Sequence, residues 1–416
     1  MKVLVIGGGG RCHAIVATLK RSPLVEQLFC APGNAGIAAL AECVPIRDTA
    51  VEALQQFALE HRIDLTIVGP EVALSMGIVD RFRQAGLRIF GPTQKAARIE
   101  SSKEFAKELM VKYNIPTATF HTFTDYAEAL AYVNAHPLPT VLKYDGLAAG
   151  KGVVIAESKA EAEQALREML LDDRFGKGKV VIEEFLQGPE FSFMCFVAGE
   201  TVRPMVLAQD HKRAYDGDKG ANTGGMGAYS PVPFISEAEQ AIALHTILEP
   251  TARALVAEGS PFTGVLYGGL MKTSDGIKVI EFNARFGDPE TEVVLPRLKS
   301  DLCAICCAVA EGRDPGELEW HDFATLGIVL ASKGYPDAYP KGVVIAGTED
   351  VEATLYHMGT ARQGDSLCTA GGRVMIVVGQ GVTLCEARQQ ALHEVDKIRC
   401  EALFHRTDIG HQAFEK

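Results

Sequence analysis

Apolar and polar positions follow two rhythms along this chain. In the first hundred residues the short apolar runs "KVLVI", "LFC", "LTIVG" and "LRIFG" alternate with segments of helical spacing. Strand-length apolar runs separated by helices predict a doubly wound parallel sheet, an α/β arrangement. In "SSKEFAKELM", Ser101 and Glu104 have capping-box spacing and predict a helix start. Farther on, "TVLKY" and "GVVIA" flank a Gly/Ala loop as a hairpin would, and Ser158 with Glu161 predicts another capped helix. "KVVIEEFL" and "EFSFMCFV" read as strands. Ser236 and Glu239 cap a predicted helix that runs to about Glu258. "GVLYGGLMKT" and "IKVIEFNARF" are predicted strands joined by Ser274-Asp275-Gly276, a hairpin turn signal. The stretch Gln209 to Ala228 is rich in glycine and charge and lacks periodicity, which marks a long functional or disordered loop. From about Phe323 onward, short strands and a final helix predict a small α+β domain.

Composition narrows the picture. A chain of 416 residues is too long for one core and suits two to four domains. Its 47% hydrophobic and 23% charged content is ordinary for a globular enzyme. A net charge of -12 without long basic runs argues against nucleic acid or an anionic membrane as main partner. No apolar run is long enough to span a bilayer, and "MKVLVIGGGG" reads as a buried strand rather than a signal peptide. The ten cysteines lack paired spacing, as expected of reduced thiols in a cytoplasmic protein. Cys303, Cys306 and Cys307 fall on one apolar helical stripe, which predicts core packing rather than metal binding.

Three stretches carry candidate chemistry. "GGGGRCHA" follows a strand, so its backbone N–H groups and a helix N-terminus can approach an anion. It does not fit the dinucleotide fingerprint: counted from Gly7 the third glycine position holds Cys12, and counted from Gly8 it holds His13. A phosphorylated ligand, a dinucleotide and a plain tight turn all stay open for it. "LKYDGLAAGKGVV" places Lys143 and Lys151 around a Gly/Ala loop. It is not a Walker A loop, because Gly146 and Gly150 are one residue too close and Gly152 stands where Ser or Thr would bind magnesium. Lys143 ends a strand, Lys151 rides a loop able to close, and Lys103 starts a helix; each could equally be a surface lysine. In "EFNARFGDPE", strand alternation points Glu281, Asn283 and Arg285 one way and Ile280, Phe282 and Ala284 into a core. A carboxylate, an amide and a guanidinium in a row suit a metal–phosphate complex; the plain alternative is a solvated strand face.

These stretches together resemble the glycinamide ribonucleotide synthetase family of the ATP-grasp superfamily, essentially end to end. The matching segments are "VIGGGGR", "APGNAG", "VGPE", "FGPT", "SSKEFAK", "DGLAAGKGVV", "VIEEFL", "AQDHKRAYDGDKGANTGGMGAYSP", "GVLYGGLM", "EFNARFGDPET", "ASKGYP" and "GGRV". The resemblance implies an ATP-grasp fold with an N-terminal substrate-binding domain over 1–101 and an ATP-grasp domain over 102–322. It also implies a lid subdomain at about 120–188 and a C-terminal domain over 323–416. It implies ATP-dependent ligation of glycine to 5-phosphoribosylamine through glycyl phosphate, with Mg²⁺ or Mn²⁺, in the cytoplasm, by a monomer or weak homodimer. Another ATP-grasp carboxylate–amine ligase with a different acceptor is the nearest alternative; a nucleotide-sensing or oxidoreductase module is a more distant one.

Residue by residue, the resemblance implies that Lys103, Lys143, Gly150 and Gly152 surround ATP phosphates. Glu183, Glu184, Phe185 and Leu186 would line the adenine hinge, with Glu190 at the ribose. Glu281 and Asn283 would hold the metal. Arg285, Lys143 and Asp210 would serve catalysis. Gly9, Gly10, Glu71, Asp288 and Arg373 would bind the ribosylamine, and Asp210, His211 and Lys212 would border the glycine and ribosylamine pocket. The chain departs from the family pattern in three places. Cys12 replaces the usual Glu, Tyr144 replaces a small residue, and "GVLYGGLMK" lacks a second acidic metal ligand.

Overall fold

The structure, a computed structural model, describes residues 1–147, 152–172 and 178–414. At the N-terminus, β1 (Lys2–Gly7), β2 (Gln27–Pro32), β3 (Glu42–Cys43), β4 (Leu65–Val68) and β5 (Ile89–Phe90) form a parallel sheet in the order β3-β2-β1-β4-β5. The four predicted strands are all present; β3 is a two-residue addition too short to announce itself. Val3 to Ile6 are completely buried, as a central strand covered on both faces requires. The strand order reverses beside β1. There α1 (Gly10–Leu19) begins, at the crevice where open α/β sheets bind ligands. Cys12 belongs to this core: a Cβ on Gly7 or on Gly69 would come within 2.5 Å of its sulfur. Burial pushes the Cys12 thiol up to about 12.

The middle of the chain builds two antiparallel sheets. The smaller consists of β6 (Phe120–Phe123), β7 (Thr140–Tyr144), β8 (Val153–Ala156) and β9 (Val180–Glu184), in the order β6-β9-β7-β8. β7 and β8 pair as the predicted hairpin. The larger consists of β10 (Glu190–Ala198), β11 (Thr201–Pro204), β16 (Thr263–Thr273) and β17 (Gly276–Asn283), in the order β11-β10-β16-β17. Between β11 and β16 lie short strands β12 (Gln209–Asp210), β13 (Arg213–Tyr215), β14 (Lys219–Asn222) and β15 (Gly227–Ser230). The capping boxes at Ser158/Glu161 and Ser236/Glu239 form as expected. The one at Ser101/Glu104 does not. Ser101 closes the preceding helix, and Ser102 caps the helix Lys103–Lys112 by accepting from Phe105 N. Glu104 is instead drawn into an ion pair with Lys179.

A second correction concerns β17. Gly269 pairs with Glu281 but Leu270 pairs with Val279, so Ile280 is an extra residue in the ladder. This bulge breaks the simple alternation: Val279 and Phe282 are both buried, whereas Ile280 is half-buried and lines a cleft beside Glu281.

The C-terminal part stacks β12, β15, β18 (Ala324–Ser332) and the strands Arg373–Gly381 and Thr354–His357 into one sheet, against which the helix Leu384–Val395 packs. One continuous apolar core runs through the N-terminal, larger middle and C-terminal sheets. Cys303 and Cys306, on the helix Leu302–Ala310, are buried in it and Cys307 borders it. The small sheet stands apart, with a separate core that includes Val133, Leu142, Tyr144, Leu166, Val180 and Ile182.

Candidate active site

A cleft of about 810 Å³ opens where the small sheet faces the edge of the larger one. Its floor is the end of β17. Glu281, Asn283 and Arg285 all line it, so the end of the strand and the bend that follows it bring the three predicted polar groups to one place. The Glu281 carboxylate and the Asn283 amide make no hydrogen bond or ion pair with described residues. Burial would raise Glu281, but Lys212, Lys143, Lys103 and Arg285 hold it below the ordinary carboxylate range. Arg285 is already clamped, with Nη2 2.8 Å from Glu100 and Nε 3.3 Å from Glu71. Glu71 also lies 3.5 Å from Arg11. Against the cost of burial, Arg285 and Arg11 lower Glu71 to about 2.

The opposite wall comes from the small sheet and the helix Lys103–Lys112. Lys143 Nζ donates to the Ile280 carbonyl at 2.9 Å and pairs with Glu183 at 3.0 Å. Lys107 takes the other oxygen of Glu183 at 2.8 Å, and all three side chains are at most 5% exposed. Glu183, expected among the hinge residues, therefore turns its carboxylate inward between two lysines. Lys103 Nζ donates to the Gly146 carbonyl at 3.0 Å, and burial lowers its affinity for a proton. Beyond Glu183, the carboxylate of Glu184 accepts from Thr119 N. The peptide groups of Phe185 and Leu186 have no hydrogen-bond partner among the described residues, and both residues line the cleft. Gly152 lines it as well; Gly150 lies outside the described residues, as does Lys151.

The far end is built from the β12–β15 segment. Glu190 pairs with Lys212 at 3.1 Å. Burial opposes the Lys212 charge, yet Glu190, Asp210 and Glu281 raise its pKa well above the lysine range. Burial pushes Asp210 up to about 7, with Lys212 opposing and Glu290, Glu190 and Glu281 adding to the shift. His211 Nε2 accepts from Gly410 N at 3.1 Å, and burial together with Arg406 lowers it to about 3, so it is neutral. Asp288 accepts from Arg11 N at the start of α1 and pairs with Arg373 at 2.9 Å. Gly9 is the N-cap of α1. Gly10 lies beneath, where a Cβ would sit 2.4 Å from Glu292 Oε1. Neither glycine lines the cleft.

The three segments of the chain each match a family model. Residues 1–100 match the phosphoribosylglycinamide synthetase N domain, 101–291 its ATP-grasp (A) domain and 325–412 its C domain. The chain belongs to the phosphoribosylglycinamide synthetase family. Among curated relatives, phosphoribosylamine–glycine ligase of Halalkalibacterium halodurans is 55% identical over 99% of this chain and 97% of its own length. The Streptococcus pneumoniae serotype 4 protein of the same name is 49% identical over the whole of both. The crystal structure of phosphoribosylamine–glycine ligase from Thermotoga maritima superposes with a TM-score of 0.88 at 32% identity, covering 99% of this chain and all of that one. A biotin carboxylase domain from Hydrogenobacter thermophilus, at 14% identity and TM-score 0.72, shares the fold alone. The ATP-grasp architecture expected from the sequence is thus the one this synthetase family has.

Several cleft residues of this family member escaped the sequence reading: Arg11, Glu100, Lys107, Tyr267 and Tyr335. For Lys107 a signal existed, since four residues after Lys103 on a helix means the same face. Glu290 Oε1 accepts from Ser192 Oγ at 2.9 Å and from Tyr267 OH, a contact that joins β10, β16 and the helix Glu290–Val294. No sequence spacing announces it. A larger groove of about 1080 Å³, between α1 and the C-terminal strands, contains His13 and His357 but none of the expected site residues.

Proposed function

We propose that this chain ligates glycine to 5-phosphoribosylamine at the expense of ATP, releasing ADP and phosphate. The observation that carries the reading is the unpartnered pair Glu281 and Asn283, beside Arg285, in a cleft that also holds Lys103 and Lys143. Joining a carboxylate to an amine needs a leaving group better than oxide, and phosphate supplies it. In this reading a glycine carboxylate oxygen attacks the γ-phosphorus, the bond to the ADP oxygen breaks, and glycyl phosphate forms. The amine then attacks the carbonyl carbon, phosphate departs, and the amine gives up a proton. Asp210, pushed up to about 7, is poised to take it. Lys103 and Lys143 face the phosphates, the free peptide groups of Phe185 and Leu186 face the adenine, and Glu190 faces the ribose. Asp288, Arg373 and Glu71 take the ribosylamine end.

The oxygen donors of Glu281 and Asn283 fit Mg²⁺ or Mn²⁺. No group of three His, Cys, Asp or Glu side chains among the described residues forms a metal cage, so phosphate and water would complete the shell. Such an ion, when bound, neutralises phosphoryl charge. The reading takes 1–101, 102–322 and 323–416 as the working units, with about 120–188 as the lid that shuts water out. Its test is phosphate release on mixing the protein with ATP, glycine and freshly made phosphoribosylamine. Release that requires both substrates, with a product of glycinamide ribonucleotide mass, supports it. Release without glycine favours a carboxylate–amine ligase of other specificity, and tight NAD binding without turnover favours an oxidoreductase.

A further inference from the structure

The hairpin β13–β14 carries one end of the cleft, since Lys212, Arg213, Asp218, Asn222 and Thr223 all line it. It has little apolar anchorage: Ala214 is buried, but Tyr215 is half exposed and its ring meets Phe404 at 5.6 Å. What holds it is a segment nearly two hundred residues later. Arg406, completely buried, donates to Arg213 O at 3.0 Å and to Asp218 Oδ1 at 2.9 Å. Its remaining donors grip Asp408 at 2.7 and 2.9 Å. Asp408 in turn accepts from Gly217 N at 2.8 Å. Asp216 accepts from the backbone N–H of Thr407 at 2.9 Å and from its hydroxyl. Gly410 N reaches His211, and Gln412 Oε1 accepts from Gln209 Nε2 at 2.6 Å, which places Gln412 itself on the cleft wall.

We infer that the segment from Phe404 to Gln412 is a brace that sets the position of Asp210, His211 and Lys212, with Arg406 as its positioning residue. A glycine-rich, polar hairpin has no core of its own to fix it, and the contacts that do are charge-assisted and geometrically exacting. Arg406 does not line the cleft. It acts by holding the backbone at Arg213 and the carboxylates at the hairpin tip. A lysine could keep the charge but not the fork that reaches both sides at once.

The role rests on the ligase reading for its kinetic consequence but not for its structural one, so two measurements on the full-length chain separate them. The variants are Thr407→Val, which removes one exposed contact and leaves the fold, and Arg406→Lys, which keeps the charge. The first measurement is the rate of tryptic cleavage at Lys219 in the hairpin. The second is the Michaelis constants for glycine and phosphoribosylamine beside kcat and ATP affinity. The brace predicts cleavage about tenfold faster and a substrate KM raised about tenfold, the factor one strong hydrogen bond carries. kcat should fall as well, since Asp210 is among the braced groups, whereas ATP affinity should change less than about twofold, because Lys103, Lys143 and the Phe185 and Leu186 peptide groups sit elsewhere in the cleft. Unchanged cleavage overturns the brace. So does a uniform fall of every kinetic parameter together with the melting temperature, which is what a merely structural arginine gives. If the wild-type protein ligates nothing, the reading of the site fails on that result alone, and the cleavage rates still decide the brace.

Discussion

Replacing Glu183 by Gln puts the best-defined electrostatic feature of the cleft at risk. The carboxylate sits between Lys107 and Lys143 with all three groups at most 5% exposed, so solvent screens little of the interaction. Even with Glu183 present, burial outweighs attraction at Lys107 and brings it from 10.5 to about 8. That drop corresponds to about 3 kcal/mol working against the buried charge. Without Glu183 two buried ammonium groups face each other, and removing one member of a buried pair costs about 3–5 kcal/mol. The sign of the pH dependence follows from linkage. Between about 8 and 10.5 the unfolded chain binds more protons at Lys107 than the folded one, so stability rises with pH there. In the variant Lys107 titrates lower still, so the extra penalty is larger on the acid side, shrinks as pH rises towards about 8, where the wild-type Lys107 loses its proton too, and is flat above that. Urea unfolding at a series of pH values, wild type beside variant, measures this. A second substitution, Lys107→Met, should recover part of the loss, and the double-mutant cycle gives the coupling. A penalty below about 1 kcal/mol at pH 7, or one that grows with pH, would refute the assignment of Glu183 as their shared counter-ion.

Glu281→Ala should abolish phosphate release while leaving the unfolding midpoint near wild type, because a carboxylate that touches no protein group stabilises little; normal turnover at high Mg²⁺ would dismiss it as a metal ligand. Gly10→Ala should destabilise by about 1–3 kcal/mol, since its Cβ would fall 2.4 Å from Glu292 and 2.9 Å from Met358; calorimetry checks this. Glu71 has its pKa lowered from 4.5 to about 2, so its stabilisation is complete above 4.5 and fades as pH falls towards 2. Glu71→Gln should therefore be less stable by about 2–3 kcal/mol at pH 6 and converge with wild type near pH 2, as followed by acid titration of the unfolding curve.

The longer strands, the hairpins β7–β8 and β16–β17 and two of the three capping boxes were legible because each is a local pattern with a local cause, whereas the β13–β14 hairpin, inside a stretch read as a loop, was not. The box at Ser101 was not, because two adjacent serines offer the same hydroxyl and only the preceding helix decides which one is free to cap. Ile280 was misplaced because a bulge is one residue of mismatch between two strands, invisible in either alone. The polar face of β17 was readable from alternation, but the clamp of Glu71 and Glu100 on Arg285 was not. Those carboxylates come from the first residue of the helix Glu71–Ser75, after β4, and from the helix Gln94–Ser101. The same holds for the brace: no property of "FHRTDIG" discloses that Arg406 will be sealed beneath a loop at position 213.

The separate core of the small sheet has a mechanical corollary. Among the described residues, the polar contacts that join that sheet to the rest include Lys107 with Glu183, Lys179 with Glu104, Lys278 with Glu184, Asp145 with Ser102 and Glu104 N, and the lysine-to-carbonyl bonds at Gly146 and Ile280. Swinging it outward would wet polar groups and leave both oily interiors intact, so the junction would resist mainly through polar and charged contacts. Added salt should loosen it, and cooling, which weakens hydrophobic cohesion, should scarcely be felt there.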